Sequence, residues 1–378
     1  MSRFFDLVSN AARNMQAYQP ATPPRASVAV AEPRLARLDS NENPYGPSLR
    51  AMEAMRAALT AGHCYPDDDC AELRRKLADQ HNLLPDQILV TAGSTALLGL
   101  ICQTMLAPGL NAVTSERSFI VYAAVVHAAG AQLIEAPMQN DGIDLDAILA
   151  AINHDTRLVF LANPNNPTGT MFDATAAEKF LAKVPGHVVV VLDEAYFEFA
   201  LHFASLRTIE YSRSLEQVRQ GASIVVLRTF SKAHGLAGLR IGYGMGPAEL
   251  LAYCARMRNT FSVSSVAQAA AIAALDDLSH IGRAVHNNAA QADVLTSALG
   301  EMGYRVIPTA ANFVCCDVGG DATQVAERLR TEGVSVRPLA GWGAPTSIRV
   351  SIGTPEQNEI LLRAMRNAVQ SLRATGAR

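Results

Sequence analysis

The stretch Thr229-Phe230-Ser231-Lys232, followed eight residues later by Arg240, decides the fold of this chain and points to its chemistry. Arg228 separates it from residues 224–227, an apolar and β-branched run that predicts a buried strand. A strand that ends there brings a hydroxyl, an amine and a guanidinium to one rim of a sheet. Ligands of open α/β sheets bind outside the carboxyl ends of the strands, so this rim is the predicted position of a site.

Two earlier apolar runs end in comparable polar clusters. Residues 158–161 lead into Asn163-Pro164-Asn165-Asn166-Pro167-Thr168-Gly169, and residues 188–192 lead into Asp193-Glu194-Ala195-Tyr196. If the three strands are parallel neighbours, an amide, a carboxylate with a phenol, and the amine of Lys232 meet at one edge. That combination is what an enzyme dependent on pyridoxal 5'-phosphate needs.

Composition and charge limit the fold and the partners. The chain has 378 residues, 49% of them hydrophobic, which is enough for a large core and suggests two domains. Its 32 basic and 35 acidic residues give a net charge of −3, so no nucleic-acid partner is indicated. No apolar run approaches the roughly 18 residues of a membrane span, and no membrane association is predicted.

The six cysteines give no sign of a metal centre. They lie at 64, 70, 102, 254, 315 and 316, and none forms a C-x-x-C pair, so neither a zinc site nor a disulfide framework is predicted. Cys315-Cys316 falls in a predicted buried strand. This cysteine usage favours a reducing, cytoplasmic location.

The pattern along the chain predicts an arm and two domains. Residues 1–36 are rich in Pro and Ala and are predicted to form an extended arm, with a short helix between residues 6 and 18. From Pro47 helical and strand patterns alternate, as in a mostly parallel sheet covered on both faces, and residues 37–280 are assigned to this large α/β domain. Residues 281–378 mix helices and strands and form a smaller predicted α+β domain.

Local patterns predict individual elements within these domains. One helical face, ended by Gly62, carries four apolar residues: Leu49, Met52, Met55 and Leu59. Residues 88–90 form a predicted strand that leads into a helix. In the smaller domain, residues 334–337 form one predicted strand and residues 348–351 another.

Lys232 is the candidate nucleophile. A lysine amine attacks an aldehyde only when part of it is unprotonated, so a site that uses Lys232 must lower its pKa. Burial and the nearby Arg240 both act in that direction. A lysine after a strand is on its own usually a surface residue, but residues 229–240 surround this one with two hydroxyls, two glycines and an arginine.

Asp193 ends a run of four valines, where a carboxylate must be paired or solvated. It is either a helix cap or a structural ion-pair partner, or it binds the nitrogen of a pyridine ring and keeps that nitrogen protonated. If Asp193 binds a pyridine nitrogen, Tyr196 and Asn166 are candidates to donate to the phenolic oxygen of the same ring.

Gly93-Ser94-Thr95 opens a predicted helix, and the N–H groups and dipole of such a terminus favour an anion. Serine and threonine are also common helix caps, so the motif alone has two interpretations. Together with Thr229, Ser231 and Arg240 it predicts a phosphate cradle.

Two arginines of the smaller domain are candidate anion ligands. Arg349 lies inside a predicted strand, and Arg337 closes another. A buried arginine is costly unless it meets an anion, and its planar fork suits a carboxylate. A structural ion pair is the alternative for both residues, and it carries more weight for Arg337.

With these residues in place, the chain resembles the class I/II aminotransferases of pyridoxal phosphate fold type I, over nearly all residues from Leu38 to the C-terminus. Within them it is most similar to the histidinol-phosphate aminotransferase branch. The resemblance is carried by residues 38–48, Tyr65-Pro66-Asp67, residues 163–169, Asp193-Glu194-Ala195-Tyr196, the Ser231-Lys232 stretch and residues 348–354.

The resemblance implies a cofactor role for each matching position. Lys232 would hold pyridoxal phosphate as a Schiff base and move the proton, and Asp193 would bind the pyridinium. Tyr196 and Asn166 would hold the phenolic oxygen. The phosphate would be held by the cradle residues, which are Gly93, Ser94, Thr95, Thr229, Ser231 and Arg240.

The resemblance also implies aromatic and subunit contacts. Phe119 would stack on the cofactor ring, at a position where the branch usually has tyrosine, and Tyr122 is the alternative. Tyr65 would reach the cofactor phosphate of the neighbouring subunit. A homodimer would therefore share its active sites.

On the substrate side, the resemblance implies an amino donor and a 2-oxo acid as partners. Asn43 and Arg349 would fix the α-carboxylate of a substrate that has one. Histidinol phosphate carries a phosphate instead, and Tyr18 and Arg337 match the tyrosine and arginine that contact it in that branch. The implied reaction moves an amino group between this donor and 2-oxoglutarate.

Three alternatives share parts of this frame. One is a transaminase for aromatic or other free amino acids, and another is a fold-type-I decarboxylase. The third is a regulator that senses the cofactor. A regulator of that kind needs a basic helix-turn-helix domain ahead of the fold, which residues 1–36 do not supply.

Overall fold

The structure, a computed structural model, describes residues 10–14 and 36–375, and these form fifteen strands and fourteen α-helices. The strands are β1 Ala36–Arg37, β2 Ile88–Thr91, β3 Asn111–Ser115, β4 Gln132–Ala136, β5 Met138–Gln139, β6 Gly142–Ile143, β7 Thr156–Ala162, β8 Val189–Asp193, β9 Ile224–Thr229, β10 Gly242–Met245, β11 Arg305–Ile307, β12 Phe313–Asp317, β13 Val334–Ser335, β14 Arg337–Pro338 and β15 Ser347–Ser351. The helices are α1 Asn10–Asn14, α2 Leu49–Ala58, α3 Ala71–His81, α4 Ser94–Met105, α5 Val121–Ala128, α6 Leu145–Ala151, α7 Ala174–Leu181, α8 Phe197–Leu206, α9 Ser214–Arg219, α10 Ala248–Arg256, α11 Ser265–Leu275, α12 Leu278–Glu301, α13 Ala322–Thr331 and α14 Pro355–Thr375.

The largest sheet has seven strands in the order β2-β10-β9-β8-β7-β3-β4. β4, β3, β7, β8 and β9 pair in parallel, and β10 runs antiparallel to both of its neighbours. Helices joining the parallel strands cover the sheet, as right-handed crossover connections require. The predicted α/β fold with a mostly parallel sheet is confirmed.

Both faces of this sheet are buried, which explains its continuous apolar strands. Along β8, Val190 and Leu192 belong to the core on one face and Val191 to the core on the other. Along β9, Val226 joins the first core and Leu227 the second. Side chains alternate between the two faces of a strand, so a strand with helices on both sides needs apolar residues at every position.

A second sheet, in the order β11-β12-β15-β14, is antiparallel throughout. It has a core of its own with α12, α13 and α14, in which Leu295, Leu329 and Leu361 are fully buried. The predicted buried strand around Cys315-Cys316 is confirmed as β12, and all six cysteines are free thiols. We refer to this part of the chain as the small domain.

The first described strand of the main body belongs to the small domain. β1 pairs in parallel with β13, and the amide N–H of Leu38 donates to the carbonyl oxygen of Ser335 at 2.8 Å. Ala36 and Leu38 lie in the small-domain core. The predicted boundary at residues 36 and 37 therefore divides a segment that the structure attaches to residues 334–335.

Residues 334–337 do not form the single predicted strand. β13 pairs with β1, whereas β14 pairs with β15 in another sheet, and Val336 stands between them. An extended pattern indicates strand conformation but carries no information about the partner strand, so this change of sheet was not predictable from the run itself.

The helix at residues 49–58 also differs from its predicted pattern. α2 buries Ala51, whereas Leu49 and Leu59 are 80% and 64% exposed. Of the apolar face predicted from the sequence, Met52 and Met55 are half-buried and Met55 packs against the core, whereas the two leucines point away from it.

The arm falls largely outside the described residues. Its described part, residues 10–14, is helical and lies inside the short helix predicted between residues 6 and 18. Tyr18, a predicted substrate contact, lies outside the described residues. Within residues 10–14 and 36–375, none of the helices has the length and apolar character needed to cross a membrane.

Candidate active site

A cavity of about 610 Å³ lies where the carboxyl ends of β7, β8 and β9 face the small domain. Its lining contains most of the predicted site residues, namely Ser94, Thr95, Phe119, Asn166, Asp193, Tyr196, Thr229, Ser231, Lys232, Arg240, Arg337 and Arg349. It also contains Asp39, Ser40, Asn41, Glu42 and Trp342, for which the sequence suggested no role. Gly93, Asn43 and Tyr65 are not part of the lining.

Two opposed surfaces form this cavity. The strand-end wall consists of the lining residues from the large domain, from Ser94 to Arg240. The small-domain wall consists of residues 39–42 together with Arg337, Trp342 and Arg349. The strand-end wall is in register because Ala162 of β7 pairs with Asp193 of β8, and Asp193 pairs with Leu227 of β9.

Lys232 projects from the loop after β9 into the cavity. Its Nζ donates to the carbonyl oxygen of Ser40 at 3.1 Å and lies 5.8 Å from the centre of the Tyr196 ring. Burial, together with the positive charges of Arg349 and Arg240, lowers the pKa of the amine to about 7, although the carboxylates of Glu42 and Asp193 oppose the change. A substantial fraction of the amine is thus unprotonated near neutral pH, as a nucleophile or base requires.

Asp193 is buried at the end of β8. Its carboxylate accepts hydrogen bonds from the Tyr122 hydroxyl at 3.0 Å and from the Ala195 amide at 3.1 Å. Burial raises the pKa of this carboxyl from 3.8 to about 6, although the Tyr122 hydrogen bond opposes the change. An ionised Asp193 is therefore costly in the absence of a cationic partner.

A buried ion pair supports the strand-end wall from behind. Arg228 Nε and Nη2 donate to Glu194 Oε2 at 3.0 and 2.7 Å, and the guanidinium carbon lies 3.3 Å from the centre of the Phe197 ring. Glu194 directly follows Asp193, and Arg228 directly precedes Thr229. Removing one partner would leave a buried charge, so the pair fixes the ends of β8 and β9 relative to each other.

The residues predicted to hold a phosphate converge at the start of α4. Arg240 Nη1 donates to Ser231 Oγ at 3.4 Å, and the Ser231 amide donates to Thr229 Oγ1 at 3.1 Å. A Cβ on Gly93, whose φ is +85°, would lie 2.6 Å from Arg240 Nη2. Glycine is needed there because the guanidinium packs against the backbone that opens the helix.

The two walls are joined by hydrogen bonds at the bottom of the cavity. Arg349 is only 6% exposed, and its guanidinium donates to Asn166 Oδ1 at 2.6 Å and to the Asp39 carbonyl oxygen at 2.8 Å. Asn41 Nδ2 donates to the Tyr196 hydroxyl at 3.0 Å. Burial raises the pKa of this phenol, so it remains a neutral donor.

The structure separates the two candidate stacking residues. Phe119 lines the cavity, whereas Tyr122 lies behind Asp193 and stacks on Phe160 with ring centres 4.9 Å apart. The hydroxyl of Tyr122 serves Asp193, a role that the sequence analysis did not assign.

Asn43 and Tyr65 are placed differently from the lining residues. Asn43 Nδ2 donates to the Ala233 carbonyl oxygen at 2.8 Å and its Oδ1 accepts from the Tyr45 amide at 2.9 Å, so the amide group is used in holding the loop of Lys232. Tyr65 is 82% exposed and stacks on Phe261. Neither reaches the cavity of its own chain.

The described residues, 10–14 and 36–375, contain no group of three or more histidine, cysteine, aspartate or glutamate side chains placed to hold a metal ion. The groups that line the cavity are an amine, three carboxylates, aromatic rings, hydroxyls and arginines.

A family model described as aminotransferase class I and II matches residues 33–365. The chain belongs to that family. It is a pyridoxal phosphate-dependent aminotransferase of fold type I.

Individual relatives agree with this membership. The aminotransferase is 42% identical over 368 residues to histidinol-phosphate aminotransferase 2 of Pseudomonas aeruginosa, and the match covers 97% of this chain and 98% of that one. The crystal structure of histidinol-phosphate aminotransferase from Sinorhizobium meliloti in complex with pyridoxal 5'-phosphate is similar with a TM-score of 0.83 and 30% identity, covering 90% of this chain and 92% of that chain. Aspartate aminotransferase from Thermus thermophilus with maleate is similar with a TM-score of 0.77 and 25% identity, over 88% and 92% of the two chains.

Proposed function

We propose that this aminotransferase moves an amino group between histidinol phosphate and 2-oxoglutarate, forming imidazole acetol phosphate and glutamate. The observation that carries the proposal is the placement of two arginines, Arg337 and Arg349, opposite the strand-end wall of one cavity. Arginine binds both carboxylates and phosphates through paired hydrogen bonds, so this wall suits substrates that carry either anion. The histidinol-phosphate aminotransferases among its relatives give the same assignment independently.

Pyridoxal 5'-phosphate, when bound, supplies an aldehyde that carries the amino group and a ring that withdraws electrons. We place its phosphate at the start of α4. The residues assigned to it are Gly93, Ser94, Thr95, Thr229, Ser231 and Arg240. The cradle that a Cβ at Gly93 would fill, together with the N–H groups of a helix N-terminus, supports this position.

The ring is assigned to the middle of the strand-end wall. Asp193 would bind the ring nitrogen, because within the described residues this buried carboxylate forms no ion pair, and a protonated nitrogen supplies the cation for one. Tyr196 and Asn166 would donate to the phenolic oxygen, and Phe119 would cover a ring face. The hydroxyl of Tyr122 and the Glu194–Arg228 pair keep Asp193 in place for this contact.

Lys232 is assigned the covalent and proton-transfer work. Its lowered pKa makes the amine available to attack the aldehyde, and afterwards to take a proton from the substrate carbon and return it. The carbonyl oxygen of Ser40 orients the amine at 3.1 Å. Arg349 would hold the α-carboxylate of glutamate and 2-oxoglutarate, and Arg337 would hold the phosphate of the other donor.

We also propose that the enzyme works as a homodimer. Leu49 and Leu59 on α2 are exposed, and so is the stacked pair of Tyr65 and Phe261. Exposed apolar residues of this size are common at subunit interfaces. In such a dimer Tyr65 would contact the cofactor phosphate bound by the partner subunit. We place the enzyme in the cytoplasm, where its six free thiols stay reduced.

Replacing Arg337 tests the substrate assignment. In Arg337→Ala, kcat/KM for histidinol phosphate should fall about 100-fold, because a charge-assisted anion contact is lost, while kcat/KM for glutamate should change by less than about threefold. The matched control is Arg330→Ala, which removes an exposed arginine of α13 outside the cavity. Steady-state rates with each donor measure both values.

Two results would contradict the substrate assignment. One is an equal loss with both donors. The other is a wild-type enzyme that turns over phenylalanine or other free amino acids but not histidinol phosphate, which would make it a general transaminase.

Mixing two inactive variants tests the shared site. If Tyr65 acts across the dimer, a hybrid of Lys232→Ala and Tyr65→Ala subunits contains one site with both residues intact. Activity should therefore return when the two variants are unfolded and refolded together. The absence of recovery in hybrids that size-exclusion chromatography identifies as dimers would place Tyr65 outside the site.

A further inference from the structure

Three carboxylates line the cavity, and they differ in what they bind. Asp39 accepts hydrogen bonds from the hydroxyls of Ser40 and Ser335. Asp193 accepts from Tyr122 and from a backbone amide. Glu42 is exposed, and within the part of the chain that the structure describes it forms no hydrogen bond or ion pair.

The backbone that carries Glu42 is nevertheless fixed on both sides. The Asn41 amide donates to Ser351 Oγ at 2.7 Å, and the Asn41 carbonyl oxygen accepts from Asn312 Nδ2 at 2.9 Å. On the other side, buried Asn43 donates to the Ala233 carbonyl oxygen. A free carboxylate on a rigid backbone is pre-organised for a ligand, since little conformational freedom is lost when it binds.

The charges around Glu42 define what it can bind. Lys232, Arg240, Arg337 and Arg349 line the same cavity, and the last two are assigned to the anionic groups of the substrates. Glu42 repels those groups and attracts N–H donors and cations. An imidazole ring always has at least one N–H, and it has two when protonated, whereas a phenyl ring has none and glutamate presents a second carboxylate.

We propose that Glu42 is a specificity-determining residue that binds the nitrogen heterocycle of the amino donor. It selects donors whose side chain ends in an imidazole or a similar N–H-bearing ring, and it disfavours donors with a hydrocarbon ring or a second carboxylate. This proposal rests on the proposed function, because the donor is taken to be a phosphorylated amino alcohol.

Two donors that differ only in the ring test it: histidinol phosphate and its phenyl analogue, 2-amino-3-phenylpropyl phosphate. The wild-type enzyme should prefer the imidazole donor by about tenfold or more in kcat/KM, the effect of one hydrogen bond to a charged group. In Glu42→Gln this preference should fall to about threefold or less. The KM for glutamate should fall in the same variant, because a repulsive charge is removed.

The ratio of kcat/KM for the imidazole donor to kcat/KM for the phenyl donor separates an effect on specificity from an effect on Lys232. Glu42 also raises the pKa of that amine by its charge, but such an effect changes both donors equally and cancels in the ratio. Glu42→Asp, which keeps the charge, should retain an intermediate preference. Glu216→Gln, an exposed residue of α9 outside the cavity, is the matched control and should equal the wild type.

The outcomes distinguish this proposal from the function on which it rests. If Glu42→Gln leaves the ratio of kcat/KM for the two donors unchanged, including by lowering both values equally, the proposed role of Glu42 is wrong. The proposed function is not affected by that result. A wild-type enzyme that turns over neither phosphorylated donor overturns both. Because Glu42 is exposed and unbonded within the described residues, both variants should fold, as thermal unfolding will verify.

Discussion

The strand-end wall and the small-domain wall face each other across one cavity, yet the chain builds them differently. Asp193 and Lys232 belong to short motifs that directly follow neighbouring parallel strands. Arg349 and Asp39, in contrast, are 310 residues apart in sequence and meet through a hydrogen bond of 2.8 Å. The strand-end wall follows from local sequence, whereas the small-domain wall requires segments about 300 residues apart to meet.

This difference has a mechanical consequence. The strand-end wall is part of a seven-stranded sheet with a core on each face, so its side chains are fixed relative to one another. In the small-domain wall, Arg337 and Arg349 lie on β14 and β15 of the four-stranded sheet, whereas residues 39–42 are attached through the two-residue strands β1 and β13 and individual hydrogen bonds. We expect the first wall to set the chemistry and the second to set which substrate is accepted.

The largest effect should come from the strand-end wall. In Lys232→Ala, turnover should fall by more than about 10⁴-fold with every donor, because both the nucleophile and the proton carrier are removed. Lys183→Ala removes an exposed lysine on the same domain and should leave turnover unchanged. Steady-state assays with glutamate are sufficient, and near-normal turnover in Lys232→Ala would overturn the mechanism.

The small-domain wall should respond next. Arg349 bridges Asn166 and Asp39 through two nitrogens, and a lysine cannot reproduce this planar geometry. In Arg349→Lys, kcat/KM should fall about 10²–10³-fold, since a buried charged contact is lost. Arg330→Lys, on the surface of the small domain, is the control. A loss of less than about threefold would mean that this wall tolerates imprecise geometry.

The free energy of unfolding should show how much the burial of Asp193 in the strand-end wall destabilises the fold. The raised pKa of Asp193, about 6 in the folded protein, means that the folded state holds a proton between about pH 4 and 6 that the unfolded state has released. Stability from this group is therefore lost as pH rises through that range. In the cofactor-free protein, Asp193→Asn should raise the free energy of unfolding at pH 7.5 by about 1–3 kcal/mol.

Chemical denaturation at several pH values measures this difference. The advantage of Asp193→Asn should shrink as the pH falls from about 6 towards 4, because the native carboxyl becomes neutral as well. A difference that is constant over this range would show that Asp193 does not titrate as its burial requires.

The smallest effect is expected at Trp342 of the small-domain wall. It is the single tryptophan of the chain, it lines the cavity, and the Arg337 guanidinium carbon lies 5.8 Å from its ring centre. Its emission should therefore change when histidinol phosphate binds. Trp342→Phe should raise the KM by no more than about threefold, since ring packing is retained. If saturating histidinol phosphate leaves the fluorescence of Trp342 unchanged, the ring lies outside the binding region.

Much of the strand-end wall was predictable from the sequence. Lys232, Asp193 and Asn166 each follow an apolar run, and parallel strands place such ends side by side. Tyr122 was predicted only as an alternative stacking residue, and its hydrogen bond to Asp193 depends on how α5 packs against the sheet. Roles for Asn41, Glu42 and Trp342 were not predicted, since their sequence neighbourhoods carry no strand-end signal.

The sequence by itself determined the fold class, the cofactor and the strand-end residues, because hydrophobic periodicity and strand-end motifs act over a few residues. Opposite that wall, Arg337 and Arg349 were predicted from the sequence, but only the tertiary structure decided that residues 39–42 and Trp342 join them. Asp39, Asn41 and Glu42 reach the cavity because β1 pairs with β13 and because Ser351 and Asn312 bind the backbone of Asn41. Contacts between segments some 300 residues apart depend on the whole packed core, and no local pattern encodes them.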